Sequence, residues 1–169
     1  EPSFGVAILD DGRYGHSVFD GAVRVSLARA AKFPDPDADH GHHRVTLSVL
    51  PHGPGLAGVV AEAEALNVTV RAVTTGTAPA RPARPVVVTG RGVEVDAVKP
   101  ADDGSGDVIV RLHEACGDRA AVTIASDRRI VAASRCNLFE EPEAGFEVSD
   151  GVVAFTLRPF ELVTIRLTR

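Results

Sequence analysis

The sequence contains no methionine and no tryptophan, and Tyr14 is its single tyrosine. Only 5% of residues are aromatic, which argues against a sugar-binding module built on a row of exposed rings. Basic residues number 18, only two of them lysines, against 23 acidic ones, for a net charge of −5. A binder of nucleic acid normally presents a basic face, so we expect no nucleic-acid partner. No apolar run approaches the roughly 18 residues that a membrane span needs, and no stretch reads as a signal peptide. We therefore expect no membrane partner. The missing initiator and the strand-like opening EPSFGVAIL lead us to expect a piece of a longer polypeptide.

Cysteine is scarce as well. Cys116 and Cys136 each follow a strand-like run and share no CxxC spacing. They read as free, buried or half-buried thiols, since a disulfide would need an oxidising compartment. No flanking residues suggest an activated thiolate. Lacking a disulfide framework, the protein is expected in the cytoplasm.

What the chain does have is short runs of period-2 alternation broken by Gly, Pro and Asp. Val45, Leu47 and Val49 alternate with polar residues, as do Val153, Phe155 and Leu157, and Val163, Ile165 and Leu167. Further strands are expected over 4–9, 23–27, 68–73, 86–89, 93–98, 107–112, 120–125 and 129–134. Alternation gives each strand one buried and one wet face, as in antiparallel sandwiches. One stretch differs: in GLAGVVAEAEALN (55–67), Val59, Val60, Ala63 and Leu66 recur at helical spacing and Asn67 can end a short helix.

TTGTAPARPARP (74–85) has no periodic apolar face, and its prolines remove backbone donors. It divides the chain. We expect an all-β protein: residues 1–75 as part of a larger antiparallel β-sandwich with one short helix, a Pro/Gly-rich linker over 76–85, and a small immunoglobulin-like β-sandwich over 86–169. The first part holds too few strands to stand alone, so its remaining strands are expected upstream.

The chemistry-bearing stretch is KFPDPDADHGHHR (32–44). Asp35-x-Asp37-x-Asp39-x-Gly41 has the opening spacing of a calcium loop, yet the twelfth position, which needs a bidentate glutamate, is Thr46. His40, His42 and His43 suggest zinc, but His42 and His43 would point opposite ways on a strand. A solvated polar loop is the plain alternative. Elsewhere, Arg111, His113 and Glu114 read as members of a cross-strand ion pair, 127–129 as a charged turn, and 140–143 as an acidic turn. Pro159, Phe160 and Glu161 are expected to start the last strand, with Phe160 in the core.

The stretch has company. DDGRYGHS (10–17) supplies Asp11, Arg13, Tyr14 and Gly15. Arg24, Ser26, Leu27 and Arg29 follow, then Pro34, Asp35, Pro36, Ala38, Asp39, Gly41 and His43, and finally Leu50, Pro51, His52 and Gly53. In this order the residues resemble the C-terminal β-region of glycoside hydrolase family 38, the retaining α-mannosidases. AVKPADDGSGDVIVRLHEACG (97–117), NLFEEP (137–142) and RPFELVTIRL (158–167) look like the closing sandwich of the same family, so the resemblance covers the whole chain. It departs at Gly12, where many members have cysteine, and at Ala28, where leucine is usual.

The resemblance implies that catalysis lies elsewhere. Family members carry zinc and their catalytic aspartates on an N-terminal α/β barrel, and none of the barrel's motifs is present here. We expect no catalytic residue, metal ligand or bound cofactor in this chain; Zn2+ would sit in the parent's barrel. Asp11, Arg13, Tyr14, Asp35, Asp39 and His43 are expected to rim the sugar pocket or to brace the barrel interface. Loops on rigid β scaffolds commonly carry such roles. The implied partners are the parent's catalytic barrel and mannose-containing glycans, and an oligomer is open. By itself this chain should be inactive. A stand-alone carbohydrate-binding or structural sandwich is the alternative.

Overall fold

A computed structural model describes residues 3–72, 74, 76 and 86–169. The chain divides into two compact units, one of residues 1–54 with 58–71 and one of 55–57 with 72–169. Most of the expected linker, 77–85, lies outside the described residues.

In the first unit, β1 (Gly5–Asp10) pairs antiparallel with β4 (Leu47–His52). β2 (His16–Phe19) and β3 (Ala22–Val25) form a separate hairpin. The hairpin turns on Asp20 and Gly21, with φ of 52° and 69°. Two left-handed residues in succession match the right-handed twist of the strands, which is why Asp-Gly suits this turn. The helix α1 (Ala57–Asn67) falls where its spacing predicts. Residues 68–72 are not a strand, contrary to expectation: the Val68 N–H continues the helical pattern to the Glu64 carbonyl at 2.7 Å, and among the described residues no strand pairs with this segment. β4 begins at Leu47 rather than Val45 because only from Leu47 does it face β1.

The second unit is a sandwich of two antiparallel sheets, as the alternation predicts. The first has the order β10 (Pro142–Phe146), β9 (Ala132–Cys136), β13 (Leu162–Thr168), β7 (Val108–Glu114), β6 (Val93–Pro100). The other has the order β11 (Val148–Ser149), β12 (Val152–Leu157), β8 (Ala120–Ala125), β5 (Val87–Thr89). Alternate residues face inward and interlock across the gap. Val110, Leu112, Ile165 and Leu167 from the first sheet meet Val122, Ile124, Val153 and Leu157 from the second, with Ile130 between. Phe146 and Phe155 pack beside this core with ring centroids 5.0 Å apart.

Several expectations need correction. Phe160 is 73% exposed. Its φ of 55° places it in the turn before β13, with its ring over Gly117 rather than in the core. The acidic 140–143 segment ends in strand, since Pro142 opens β10. His113 does pair across strands, with Asp96 at 3.0 Å. Arg111 instead donates to the Thr164 hydroxyl at 3.2 Å and to the Leu138 carbonyl at 3.3 Å. Glu114, 1% exposed, accepts from the N–H groups of Cys116 and Gly117 at 2.8 Å and of Phe160 at 3.0 Å. Burial alone would raise its pKa, but the main-chain donors of Phe160, Cys116, Asp118 and Gly117 outweigh burial and lower it. Cys116 and Cys136 are free thiols, as their spacing suggests.

Two outcomes follow for stability. Ile165→Ala deletes buried methyl groups at the centre of the sandwich and should cost about 2–5 kcal/mol, read from chemical denaturation. Glu161 supplies the second. Burial opposes its charge, but Arg135 at 2.6 Å and the Arg158 N–H at 2.8 Å hold its pKa at about 2, below the ordinary 4.5. A lowered folded pKa stabilises above the unfolded value. That stability should fade as pH falls from 4.5 towards 2. Glu161→Gln should flatten this part of a Tm–pH profile; an unchanged profile would contradict the assignment.

Candidate functional site

The candidate residues lie in the first unit, on the turn between β1 and β2 and on the loop between β3 and β4. Each is shaped by a carboxylate that accepts main-chain N–H groups. At the turn this residue is Asp10, whose Oδ1 accepts from Gly12 at 2.8 Å and also from Arg13. Its Oδ2 lies 3.3 Å from His16 Nε2. The N–H groups of Arg13 and Gly12 hold its pKa below the ordinary carboxylate value. Asp11 faces another way and accepts the Thr46 N–H at 2.9 Å, joining the turn to the approach of β4.

At the loop the organiser is Asp39. Its Oδ2 accepts from Ala30 at 2.9 Å and from Arg29 at 3.1 Å. Ala30 has φ 50° and Asp39 has φ 62°, left-handed conformations that disfavour side-chain-bearing residues. The two bonds hold the chain there. Those N–H groups of Ala30 and Arg29 are also the main cause of a lowered pKa at Asp39, with smaller help from His43 and Arg13. His43 Nε2 lies 2.8 Å from the Asp39 carbonyl. Asp35 closes a local turn, accepting the Asp37 N–H at 3.0 Å.

Turn and loop meet where the Ser26 N–H donates to the Gly15 carbonyl at 2.8 Å. A Cβ on Gly15 would come within 2.9 Å of the Ser26 Cβ, so the close approach needs glycine. Between them lies an open groove of about 580 Å³ lined by Arg13, Tyr14, Ser26, Leu27, Arg29 and Asp39, among others. The structure therefore gathers Arg13, Tyr14 and Asp39 at one groove, with Tyr14 exposed at 94%. Asp11, Asp35 and His43 do not line it; they fix the backbone around it. Asp10 and Arg29 carry as much of this geometry as any expected residue. A signal for Asp10 was present in DDG, where an aspartate commonly binds the N–H two residues on.

The histidines do not make a metal centre. His40 Nδ1 lies 3.4 Å from Asp37, and His43 is engaged with a carbonyl. Among the described residues no three of His, Cys, Asp and Glu converge as a metal would require. Arg13, Tyr14, Ser26 and Arg29 bring their polar side chains to the groove lining, while Asp39 there has its Oδ2 turned onto main-chain donors.

The comparisons with known proteins agree in direction. Residues 92–165 match the family model described as the glycosyl hydrolases family 38 C-terminal beta sandwich domain. Residues 1–37 match the glycosyl hydrolases family 38 C-terminal domain. Over 99% of its length the chain is 31% identical to human alpha-mannosidase 2C1, covering 17% of that protein. It is 30% identical over 98% of its length to alpha-mannosidase G of Dictyostelium discoideum, covering 16% of it. The chain thus spans about a sixth of the length of the curated relatives it matches.

Asp39→Ala should release the Arg29 and Ala30 amides and speed proteolysis of the 28–43 loop by about tenfold, the scale of one lost charge-assisted bond. Because the folded pKa of Asp39 is lowered from 3.8, its contribution holds above that pH and fades below it. Loop protection in the wild type should fall on the same acid limb and be flat in Asp39→Ala.

Proposed function

The chain belongs to the C-terminal region of glycoside hydrolase family 38, and we propose that it is the non-catalytic β-region of a retaining, zinc-dependent α-mannosidase. In this reading residues 1–75 are part of a larger β-sandwich completed by upstream chain, and residues 86–169 are the terminal small sandwich. Turn and loop brace the catalytic barrel and rim its sugar pocket. The parent enzyme hydrolyses terminal α-D-mannosides.

One observation carries the proposal: the first unit leaves its apolar side chains uncovered. Leu9 is its one buried hydrophobic residue among those described, whereas Val6, Val18, Phe19, Val23, Leu47 and Val49 are all exposed. Two-stranded ribbons are marginal alone in water. Side chains this apolar, on strands this short, call for further strands and a packed face, and relatives about six times as long have the chain to supply them.

The chemistry of the turn and loop supports a non-catalytic part. Retaining hydrolysis needs a nucleophile and a carboxylic acid that keeps its proton near neutral pH. The main-chain donors around Asp10 and Asp39 lower their pKa, the wrong direction for that acid, and both Asp10 oxygens and Asp39 Oδ2 are engaged within the chain rather than offered as a nucleophile. Tyr14, Arg13 and Arg29 are left to meet sugar hydroxyls or acceptors on the barrel. Zinc would be held by the barrel, where it polarises the substrate. Free thiols at Cys116 and Cys136 suit a reducing, cytoplasmic setting. No described helix is long and apolar enough to cross a membrane.

Hydrolysis of an aryl α-mannoside by this chain alone, with and without zinc, is the test. The folded chain should show no turnover under either condition. Zinc-dependent turnover would overturn the proposal and return Asp35, Asp37, Asp39 and the adjacent histidines to candidacy as an active site.

A further inference from the structure

Tyr14 projects into solvent from its turn at 94% exposure, while Arg13 beside it is half-buried. One side chain bonds directly to the turn's Gly12 and Arg13 amides. The Asp10 Oδ1 accepts from Gly12 at 2.8 Å and from Arg13, its Oδ2 faces His16 Nε2 at 3.3 Å, and both oxygens are thereby committed. The carbonyl of the same residue accepts from Asn67 Nδ2 at 3.0 Å, and that amide also donates to the Ala63 carbonyl at 2.9 Å within α1. Asp10 therefore joins four pieces of the first unit: the end of β1, the turn, the start of β2 and the last turn of the helix. The neighbouring carboxylate has a separate task, for Asp11 holds Thr46.

We infer that Asp10 is a positioning residue: it sets the direction in which Arg13 and Tyr14 enter the groove shared with Arg29 and Asp39. Its importance for sugar hydrolysis rests on the reading that this turn rims the mannoside pocket. The geometry separates two duties of the side chain. Oδ1 shapes the turn through main-chain bonds, which need only an acceptor oxygen. Oδ2 adds the contact with His16, which takes the second carboxylate oxygen. An asparagine at this position keeps the first duty and weakens the second. An alanine loses both.

Tyr14 makes this measurable, because it is the sole tyrosine in a chain without tryptophan. Its fluorescence anisotropy decay reports this turn alone. In Asp10→Ala the fast, local component should grow, and the Gly12 and Arg13 amides should exchange with solvent about tenfold faster. Asp10→Asn should restore both to near wild-type values. Asp11→Asn should leave the Tyr14 decay unchanged. In the wild-type chain, NMR couplings through the hydrogen bonds should link the Gly12 and Arg13 amide nitrogens to the Asp10 carboxyl carbon, a readout that needs no variant to fold. Absence of those couplings would overturn the inference. So would a Tyr14 decay that is unchanged in Asp10→Ala, or one that Asp11→Asn disturbs equally.

A kinetic arm separates this inference from the mannosidase reading. In the whole enzyme, Asp10→Ala should raise KM for an aryl α-mannoside about tenfold, with recovery in Asp10→Asn. An unchanged KM beside intact couplings and the expected Tyr14 response would overturn the pocket reading of the turn and leave the positioning role of Asp10 standing.

Discussion

A carboxylate gripping main-chain N–H groups is the device on which this chain's turns depend. Glu114 is its buried form. Set at the end of β7, it accepts from Cys116 and Gly117 in the turn that follows and from Phe160 in the turn that opens β13. β7 and β13 pair in the middle of the larger sheet, so one side chain fixes where two central strands stop and start. A buried charge is costly unless it is fully hydrogen-bonded, and here the donors are backbone groups that need partners themselves. Asp10 and Asp39 repeat the arrangement in the open, where it shapes surface loops instead of strand ends.

The two units differ in how they are held. The second has a closed core drawn from both sheets. Its surface is laced by ion pairs such as Arg166 with Asp103 and Asp107, both at 2.6 Å. The first has hydrogen-bonded loops but almost no buried apolar side chain. Hydrogen bonds fix the shape of such loops yet contribute modestly to net stability, because water competes for the same groups. Most stabilisation comes from apolar burial. A unit rich in the former and poor in the latter has loops that are precise in geometry while its strands remain uncovered.

The sequence made much of the second unit legible. Val163, Ile165 and Leu167 alternate with polar neighbours and do face the core. α1 was readable from the spacing of Val59, Val60, Ala63 and Leu66. Misreadings had local causes. Val68, Thr69 and Val70 are β-branched and the segment alternates, yet a strand exists only when another pairs with it. Phe160 looked like core because it is large and apolar, but its left-handed turn carries the ring outward. β2 and β11 are short, and their clearest signal was the Asp-Gly turn at Asp20–Gly21 and at Asp150–Gly151.

By itself the sequence determined the all-β class and the place of the helix, which follow from residue type and period, and the resemblance to the family, which follows from the order of residues along the chain. Only the tertiary structure decided which polar residues share a groove. Asp10 and Asp11 are neighbours in sequence with opposite tasks, because adjacent side chains leave the backbone in different directions. Arg29 and Asp39 lie ten residues apart and meet through one carboxylate. Spacing can suggest what a side chain is able to do; the path of the backbone decides what lies within its 3 Å reach.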